Sequence, residues 1–389
     1  MEILAPDPAS ERYEVQQRLG SGAFGEVRMG LDKTCGRSVA LKYVRIMGAS
    51  KSSRAQGLGL PRAVFRELEA LRQLNENPFV VGLLDVFPDE TNLCLVLEYH
   101  PSDLSEVVRQ RHEAQKGYLP ACHVKAYAHM LLSALAYIHS HRIIHRDVKP
   151  SNVLLSRNGT VKLADFGLAR VIDTVAAVGG AGDLSHQVAT RWYRPPELLF
   201  ASRSYSFSAD IWSAGAVIGE LMTLTPLFPG NNDIDQMFRV FQIMGSPEPQ
   251  TWPGVDTLPD YAKVSFPNLL PLDMHAMLMP HAHPQDVEFL KTLLVLDPAQ
   301  RVTAAAAAQS AYFLKQPLPC ARPNLPFYPR GATATSTIGE GLEAAAAAAL
   351  KKDRAALARS DGGGGGVAEI SARVDRILAA ARPAHLSLP

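Results

Sequence analysis

The sequence lacks the features that would mark a secreted, membrane-embedded or metal-stapled protein. Only four cysteines occur in 389 residues, and no two form a C-x-x-C pair, so neither a disulfide framework nor a cysteine zinc site is expected. No apolar run reaches the ~18 residues that a membrane-spanning helix needs. The amino terminus, MEILAPDPASERYEV, has no basic segment followed by an apolar core, so no secretory signal is predicted. We therefore expect a cytoplasmic or nuclear protein.

An excess of charge of either sign is also lacking. Lysine and arginine number 39 and aspartate and glutamate 38, which leaves a formal net charge of +1. This balance gives no electrostatic reason to expect a nucleic acid or a membrane surface as a partner. The hydrophobic fraction of 47% is typical of a globular protein, and the length corresponds to roughly two to three domains.

Two patterns of secondary structure divide the chain. Up to about residue 99, short β-branched and aromatic runs alternate with glycines, and one amphipathic helix interrupts them between Arg62 and Leu74. After Asp103 the apolar spacing becomes helical, as in His123 to His139, Ile211 to Thr223 and Gln236 to Met244. We predict an α+β, bilobal fold with a strand-rich first lobe and a helical second lobe. The predicted strands are Tyr13 to Leu19, Glu26 to Leu31, Val39 to Val44 and Leu93 to Tyr99.

The predicted organisation has four parts. An N-terminal extension (1–12) precedes the main domain (13–313), whose two lobes are expected at 13–99 and 100–313. A proline-rich connector (314–330) follows, and we expect it to run extended over the surface. The tail (331–389) contains alanine and glycine tracts, and such composition buries little apolar surface, so disorder is expected there.

A glycine-rich segment joins the first two predicted strands. LGSGAFGEV places Gly20, Gly22 and Gly25 in G-x-G-x-x-G order, which lets backbone N–H groups approach phosphate oxygens closely. Many tight turns share this pattern. The dinucleotide-binding version opens a helix, whereas this one lies between strands, so the context argues against a dinucleotide fold.

A lysine follows inside an otherwise apolar strand. Lys42 ends the run VALK, and a lysine buried there needs an anionic partner. Glu67 on the predicted helix can supply that partner, which would place the ammonium group within reach of nucleotide phosphates. Taken alone, Lys42 would as readily face water, and Glu67 would more often lie on a solvated helix face.

The run HRDVKPSN and the later tripeptide DFG carry the chemistry. Asp147 can accept a proton from an attacking hydroxyl, and Lys149 can neutralise phosphate charge. Asn152 offers an amide oxygen and Asp165 a carboxylate, the kind of oxygen ligands that Mg²⁺ prefers. A chance HRD tripeptide proves little. The glycine loop, VALK, the helical glutamate, HRDxxxxN, DFG and a terminal PE in one order do not arise by chance.

This ordered set resembles the signature of the protein kinases over about residues 13–313. The resemblance implies a two-lobed fold that uses ATP and Mg²⁺ to phosphorylate serine or threonine in protein substrates. The catalytic and metal-binding residues that it implies are Asp147, Lys149, Lys42 and Glu67, with Asn152 and Asp165 as the metal ligands. The nucleotide contacts that it implies are Leu19, Gly20, Ser21, Gly22, Ala23, Phe24, Gly25, Glu26, Val27, Ala40, Lys42, Leu97, Glu98, His100, Asp103 and Leu155.

Finer features resemble the cyclin-dependent and mitogen-activated branch of that family. They are PRAVFRE (61–67), VATRWYRPPE (188–197) and an insert that begins at FPGNNDIDQ (228–236). Within the branch the chain is most similar to the cell-cycle-related kinases, which are associated with cilium or flagellum length and with activating related kinases. PRAVFRE lies where cyclin-dependent kinases contact their cyclin, so a cyclin or another activator is implied at Pro61–Glu67. Acceptor sites followed by proline, or the activation segments of other kinases, are implied as substrates.

The activation segment departs from both groups. Ser185 takes the position of the regulatory threonine of the cyclin-dependent kinases, and its phosphate would meet Arg66, Arg146 and Arg170. An upstream kinase acting on Ser185 is therefore implied. Because S-H-Q replaces the T-x-Y motif of the mitogen-activated kinases, dual phosphorylation is excluded.

Interpretations that assign the protein to another functional class stay open. A pseudokinase scaffold would lack the catalytic lysine or one of the two aspartates, and all three residues are present here. A mitogen-activated-kinase-like enzyme is a second alternative, and a tail that acts as an interaction module is a third. Within the kinase reading, Glu197 is implied to pair with Arg301, and Asp210 to brace the catalytic loop.

Overall fold

The structure is a computed structural model in which residues 11–22, 25–45, 62–74, 77–89, 92–113, 117–172, 191–202, 206–279 and 281–330 are described. The chain divides into two compact units. The first contains the described residues of Met1–Val107, Ala126–Val175 and Cys320–Ser336, and the second contains those of Val108–Lys125, Ala176–Pro319 and Thr337–Pro389. The predicted tail and most of the predicted N-terminal extension lie outside the described residues.

The first unit is built on a five-stranded antiparallel sheet with one helix. These elements are β1 (Tyr13–Gly22), β2 (Gly25–Asp32), β3 (Arg37–Arg45), α1 (Arg62–Gln73), β4 (Leu83–Asp89) and β5 (Asn92–Glu98). The strand order is β1-β2-β3-β5-β4. β4 was not predicted from the sequence, because Pro88 and two aspartates make a poor strand pattern. Its place at the sheet edge explains why the proline is tolerated there, since an edge strand does not need every N–H for the ladder.

The alternation of side chains along β3 places two cores on opposite faces of the sheet. Val39 and Leu41 are buried in one cluster, together with Phe87 of β4. Val44 belongs to another cluster, in which it packs with Val64 of α1. Because successive side chains point to opposite faces, residues 40, 42 and 44 share the face that α1 covers. The sheet therefore directs Lys42 toward α1.

α1 follows the amphipathic pattern that predicted it. Val64, Ala70 and Leu71 are at most 2% exposed, and they recur at helical spacing. Phe65 lies on the opposite side and is 57% exposed. The helix begins at the predicted residue and ends one residue before the predicted end.

Shorter elements complete the first unit. A three-stranded sheet of order β6-β8-β9 and a two-stranded ladder of β7 with β10 contain β6 (Ser102–Asp103), β7 (Ile143–Ile144), β8 (Val153–Leu155), β9 (Val161–Leu163) and β10 (Arg170–Val171). Single 3₁₀ turns span Pro150–Asn152 and Phe166–Leu168. The helices α2 (Leu104–Glu113) and α3 (Ala121–Ser140) contribute residues to both units.

The second unit is helical. Its helices are α4 (Pro196–Leu199), α5 (Ser208–Thr223), α6 (Asp233–Met244), α7 (Met274–Leu278), α8 (Pro284–Leu293) and α9 (Ala304–Ala308). α5 is buried from Ala209 to Thr223, as expected of a central helix that is apolar on all sides. α6 begins three residues before its predicted start, because the Asn232 side chain caps it by accepting from the Asp235 N–H at 2.9 Å. In the described part of the chain, no helix is both long and apolar enough to cross a bilayer.

Candidate active site

Three charged side chains of the first unit form one cluster, in which two carboxylates contact the Lys42 ammonium. Lys42 Nζ lies 2.6 Å from Oε1 and 2.9 Å from Oε2 of Glu67, and 3.0 Å from Oδ1 of Asp165. The Glu67 side chain is only 4% exposed, whereas the Asp165 side chain is 47% exposed. Glu67 therefore holds the cation from the protein interior, and Asp165 presents its carboxylate to solvent.

The local helix pattern explains the position of Glu67. It lies three residues after Val64 and four before Leu71, so it shares the buried face of α1 with them. A carboxylate at a core-facing helix position is costly to bury without a partner, and the direction of Lys42 from β3 supplies one. The pairing that the sequence predicted is thus formed.

The charges of this cluster are coupled. Burial alone would lower the pKa of Lys42, but the negative charges of Asp165 and Glu67 outweigh burial and raise it above its ordinary value. Burial raises the pKa of Glu67, and the Lys42 ammonium limits that rise. The Lys42 charge lowers the pKa of Asp165 to about 2. Lys42 and Asp165 are therefore both ionised at neutral pH.

The catalytic loop fixes Asp147 from two sides. Its Oδ2 accepts hydrogen bonds from Lys149 Nζ at 2.8 Å and from Asn152 Nδ2 at 2.9 Å. Asn152 Nδ2 also donates to the Asp147 backbone carbonyl at 2.8 Å. Because both bonds from Asn152 use its amide nitrogen, its amide oxygen is the atom left to ligate a metal.

The donor set fits the metal that the sequence predicts. The Asn152 amide oxygen and the exposed Asp165 carboxylate are hard oxygen ligands, and Mg²⁺ is commonly held by one or two carboxylates together with substrate phosphates and water. Residue Asp165 itself has a left-handed backbone, with a φ of 65°. This conformation is uncommon outside glycine and fits a functional position.

His145 links the two segments that carry these ligands, a role that was missed at the sequence level. Its ring is fully buried, with Nε2 3.0 Å from the Ala164 carbonyl and Nδ1 3.3 Å from the Asp147 N–H. The ring also meets Phe166 edge-on, with centroids 4.8 Å apart. The first letter of HRD was the available signal, because a histidine with two ring nitrogens can bridge two backbone segments.

The predicted nucleotide contacts lie on neighbouring strands of the large sheet. Ala40 pairs with Leu97 between β3 and β5, and Val27 pairs with Lys42 between β2 and β3. In the glycine-rich hairpin, Ser21 lies opposite Glu26 and Gly22 opposite Gly25, with Leu19 and Gly20 on the same strand β1; Ala23 and Phe24 lie outside the described residues.

Gly25 cannot be replaced without moving the backbone. A Cβ atom there would lie 1.7 Å from the Tyr43 carbonyl oxygen, and the φ angle is 156°. This glycine is therefore required by the close approach of β2 to β3 as well as by the turn.

The end of β5 places Glu98 and His100 in sequence before β6. The Glu98 carboxylate lies 2.7 Å from Lys162 Nζ and accepts the Gly82 N–H at 3.2 Å. Since this side chain is engaged within the protein, the contact predicted at Glu98 would use its backbone. His100 Nε2 lies 3.6 Å from Glu98 Oε2.

Two other predicted nucleotide contacts have unexpected surroundings. The Asp103 carboxylate caps α2, where Oδ1 accepts the Glu106 N–H at 3.0 Å and the Ser105 hydroxyl. Its Oδ2 is paired with Arg330. Leu155 is 2% exposed, and along β8 the partly exposed side chain is that of Leu154.

The predicted phosphate-binding arginines are described, although Ser185 itself lies outside the described residues. Arg170 pairs with Ile144 across the β7–β10 ladder. Arg146 follows Ile144 by two residues in the chain. Arg66 lies on α1, one residue before Glu67. In the second unit, the predicted pair forms: Arg301 donates to Glu197 at 2.7 and 2.6 Å.

Comparisons with known proteins agree with this geometry. The protein kinase domain model matches residues 13–313. Cyclin-dependent kinase 20 of Danio rerio is 42% identical over 323 residues, which cover 82% of this chain and 89% of that protein. The Homo sapiens protein of the same name is 42% identical over 316 residues, covering 81% and 87%.

A solved structure agrees as well. The structure of the CAK complex from Chaetomium thermophilum bound to ATP-gamma-S matches with a TM-score of 0.70 and 33% identity, covering 83% of this chain and 99% of that one. The α+β kinase fold and the resemblance to the cell-cycle-related kinases are both confirmed. The chain therefore belongs to the protein kinase family, as a serine/threonine kinase of the cyclin-dependent type that uses ATP and Mg²⁺.

Proposed function

We propose that Asp147 is the group that activates the acceptor hydroxyl of a protein substrate. Lys149 and Asn152 hold its Oδ2, so the carboxylate is oriented before the substrate arrives. As the serine or threonine oxygen bonds to the γ-phosphorus of ATP, the bond from that phosphorus to the β,γ-bridging oxygen breaks and ADP leaves. Asp147 accepts the hydroxyl proton.

Lys42 and Glu67 position the nucleotide. The Lys42 ammonium has three donors, two of which are used by Glu67 and one by Asp165. Glu67 is buried and stays in place, so the donor shared with Asp165 is the one that passes to a phosphate oxygen. Asn152 and Asp165 would hold the metal. Mg²⁺ bound there would neutralise charge on the phosphates, and Lys149 would screen the transferred group.

The adenine surface is apolar. Val27, Ala40 and Leu97 are partly buried residues of the large sheet and supply it. On the other sheet, β8 buries Val153 and Leu155 and leaves Leu154 partly exposed. We assign the contact from β8 to Leu154, because side chains one residue apart face opposite sides of a strand.

The observation that carries this proposal is the convergence of Lys42, Glu67 and Asp165 in one unit with the Asp147 network. Its test is transfer of radiolabelled phosphate from ATP to a generic basic protein. Asp147→Asn and Lys42→Ala should each reduce turnover by about 10²-fold or more, which is the usual contribution of a positioned acid–base or phosphate-binding group.

Matched controls separate catalysis from folding. Asp256→Asn and Lys33→Ala change exposed residues of the same types and should leave turnover unchanged. Circular dichroism checks that each variant is folded. Near-wild-type transfer by folded Asp147→Asn would reject the assignment, and a folded wild type that binds ATP without transferring phosphate would favour a scaffold.

Phosphorylation of Ser185 by an upstream kinase is the regulation that we propose. Supporting it, Arg170 pairs with Ile144, and Arg146 follows Ile144 by two residues in the chain. Clustered guanidinium groups bind phosphate well. Ser185→Ala should abolish the increase in activity that an activating kinase produces. Equal activation of both proteins would reject this role.

An activator is proposed at α1, and a cyclin is the first candidate. Phe65 supports it, because an aromatic side chain that is 57% exposed lies two residues before the catalytic Glu67. Affinity purification of the Asp147→Asn protein, with and without Phe65→Ala, is the test. A cyclin lost only with Phe65→Ala supports the site, and retention of the same cyclin rejects it.

Substrate choice and location extend the proposal. We infer acceptor sites followed by proline, or activation segments of related kinases, and a place of action in the cytoplasm, nucleus or cilium. A peptide array and imaging of a tagged chain check substrate choice and location separately. An array without a preference for proline would reject the proline-directed sites, and an array in which activation-segment peptides are not phosphorylated would reject the other substrate class.

A further inference from the structure

Arg330 makes a long-range ion pair from outside the kinase domain match. The match ends at residue 313, yet the Arg330 guanidinium reaches Asp103, 227 positions earlier. Its Nε and Nη2 lie 2.8 and 2.5 Å from Oδ2 of Asp103. The Arg330 N–H also donates to the Pro101 carbonyl at 2.9 Å. The end of the connector is therefore fastened to the segment that follows β5.

The last part of the connector, from Arg322 to Arg330, is packed on the first unit. The Tyr127 hydroxyl donates to the Pro326 carbonyl at 3.0 Å, and Leu325 is 6% exposed. The Arg322 guanidinium lies 5.4 Å from the centre of the Phe79 ring. Close approach is also seen at Gly159, where a Cβ atom would lie 1.9 Å from the Arg322 carbonyl oxygen. These contacts hold the segment before Arg330 against the first unit and so place Arg330 beside Asp103.

The hydrogen-bonding capacity of Asp103 is full in this arrangement. An ionised carboxylate has about four lone-pair positions, two on each oxygen. Oδ1 accepts from the Ser105 hydroxyl and the Glu106 N–H, and Oδ2 accepts twice from Arg330. The residue is 5% exposed, so water adds little. A new donor can bind Asp103 only if one of these partners leaves.

Asp103 nevertheless lies where the proposed nucleotide site needs an acceptor. It follows Glu98 and His100 in the chain, and in β6 it pairs with Leu154, two residues beyond the metal ligand Asn152. ATP has neutral donors in the adenine amino group, which the contacts proposed at Glu98 and His100 would occupy, and in the ribose hydroxyl groups, which remain for a carboxylate to accept. The partner that can be given up is Arg330, since the bonds to Ser105 and Glu106 cap α2.

We propose that Arg330 competes with the ribose of ATP for Asp103, so that the connector lowers the affinity of this kinase for its nucleotide. The inference rests on the proposed nucleotide site. Removing Arg330 frees Oδ2 for a ribose hydroxyl. The expected gain is about three- to ten-fold in ATP affinity, which corresponds to the usual net contribution of one hydrogen bond.

Arg330→Met is the variant that tests the competition, because methionine keeps much of the apolar stem and has no donor. Arg322→Met is the matched control, because Arg322 belongs to the same connector but contacts Phe79 and not Asp103. Binding of Mg·ATP and of Mg·2′,3′-dideoxy-ATP is measured by calorimetry in the Asp147→Asn background. Phosphate transfer is then not needed for the result.

The result expected is specific for the ribose. Arg330→Met should bind ATP three- to ten-fold more tightly and dideoxy-ATP with unchanged affinity, and Arg322→Met should change neither ratio. In otherwise wild-type protein the KM for ATP should fall while kcat is kept. Adding Asp103→Asn, which retains an N-cap side chain, should abolish the difference between the two nucleotides.

Other outcomes overturn the inference. An unchanged or weaker ATP affinity in Arg330→Met would show that the ion pair does not compete with ATP. An equal gain for both nucleotides would point to general loosening of the connector, which heat unfolding would reveal in both methionine variants. Failure of every variant to bind either nucleotide would contradict the proposed nucleotide site itself, and with it the competition.

Discussion

The Glu197–Arg301 pair of the second unit supports a quantitative prediction about stability. All five N–H donors of Arg301 have an acceptor. Its Nε donates to the Val295 carbonyl, Nη1 to Glu197 and the Ser208 carbonyl, and Nη2 to Glu197 and the Leu296 carbonyl. The two side chains are 0% and 4% exposed. Replacing Glu197 therefore leaves a buried guanidinium without its counter-charge.

The perturbation is Glu197→Gln, which keeps the size of the side chain. The glutamine amide can accept only through its oxygen, and its NH₂ group would face an Arg301 donor. Removing one partner of a buried ion pair costs about 3–5 kcal/mol. At roughly 2–4 °C per kcal/mol for a domain of this size, the midpoint of heat unfolding should fall by roughly 6–20 °C.

Tryptophan fluorescence reports on the unfolding of the second unit, which contains the Glu197–Arg301 pair. The chain has three tryptophans, Trp192, Trp212 and Trp252, and all belong to the second unit. Trp212 lies beside the pair, with its ring centre 5.1 Å from the Arg301 guanidinium carbon. The matched control is Glu288→Gln, which breaks a surface pair with Lys291 that is exposed to solvent and should leave the midpoint unchanged.

A double-mutant cycle completes the test. Arg301→Met leaves the Glu197 carboxylate buried and unpaired, so it should destabilise the unit by a similar amount. In Glu197→Gln/Arg301→Met neither charge is buried, and the loss should be clearly smaller than the sum of the two single losses. A Glu197→Gln midpoint within 2 °C of wild type, or strict additivity in the cycle, would refute the claim that the charges depend on each other.

Two further predictions concern the buried Glu220 carboxyl and Gly25 of the glycine-rich hairpin. Glu220, 3% exposed and 2.6 Å from the Tyr193 hydroxyl, has its pKa raised by burial from 4.5 to about 7. Because the folded-state pKa is the higher one, its contribution to stability is fully present below pH 4.5 and is lost as the pH rises to about 7. Glu220→Gln, which keeps a neutral acceptor, should therefore gain up to about 3 kcal/mol over wild type between pH 5 and pH 8, as tryptophan-detected unfolding would show; a gap that does not change with pH would contradict this. Gly25→Ala should raise the KM for ATP about ten-fold in a steady-state assay, because the new Cβ would displace the Tyr43 carbonyl and strain the hairpin by about 1–3 kcal/mol; an unchanged KM would show that the hairpin adapts.

Much of the active site could be predicted because its contacts follow from local periodicity. Lys42 shares a strand face with Val44, and Glu67 shares a helix face with Val64, so the two charged residues are directed toward each other wherever Val44 and Val64 pack together. The ends of the helices were harder to predict. α6 contains the polar residues Asp233 and Asp235 in its first turn, because carboxylates are favourable at a helix N-terminus even though they break the apolar pattern.

The errors at strands have a common physical origin. The sequence of a short strand does not show which of its two faces is buried, because that depends on the neighbouring strands. An error of one residue in the assignment therefore places a side chain on the wrong face. For that reason we propose Leu154, which β8 leaves partly exposed, in place of Leu155 as the nucleotide contact. β4 was not predicted because Pro88 argues against a strand. Proline is tolerated in an edge strand, but the edge position of β4 is known only from the folded sheet.

Asp103 shows why a motif can identify a residue and still miss its behaviour. The run D-L-S-E at 103–106 has the pattern of a helix N-cap, so the capping contacts were available in the sequence. The contact with Arg330 was not, because it joins residues 227 positions apart and depends on a connector with no periodic pattern. Ser105, Glu106 and Arg330 already fill the four acceptor positions of this carboxylate, so a further partner can bind only if one of the three leaves. The role of a matched residue in a particular kinase is therefore set by the other donors that the fold brings to it, and these have to be counted in the structure.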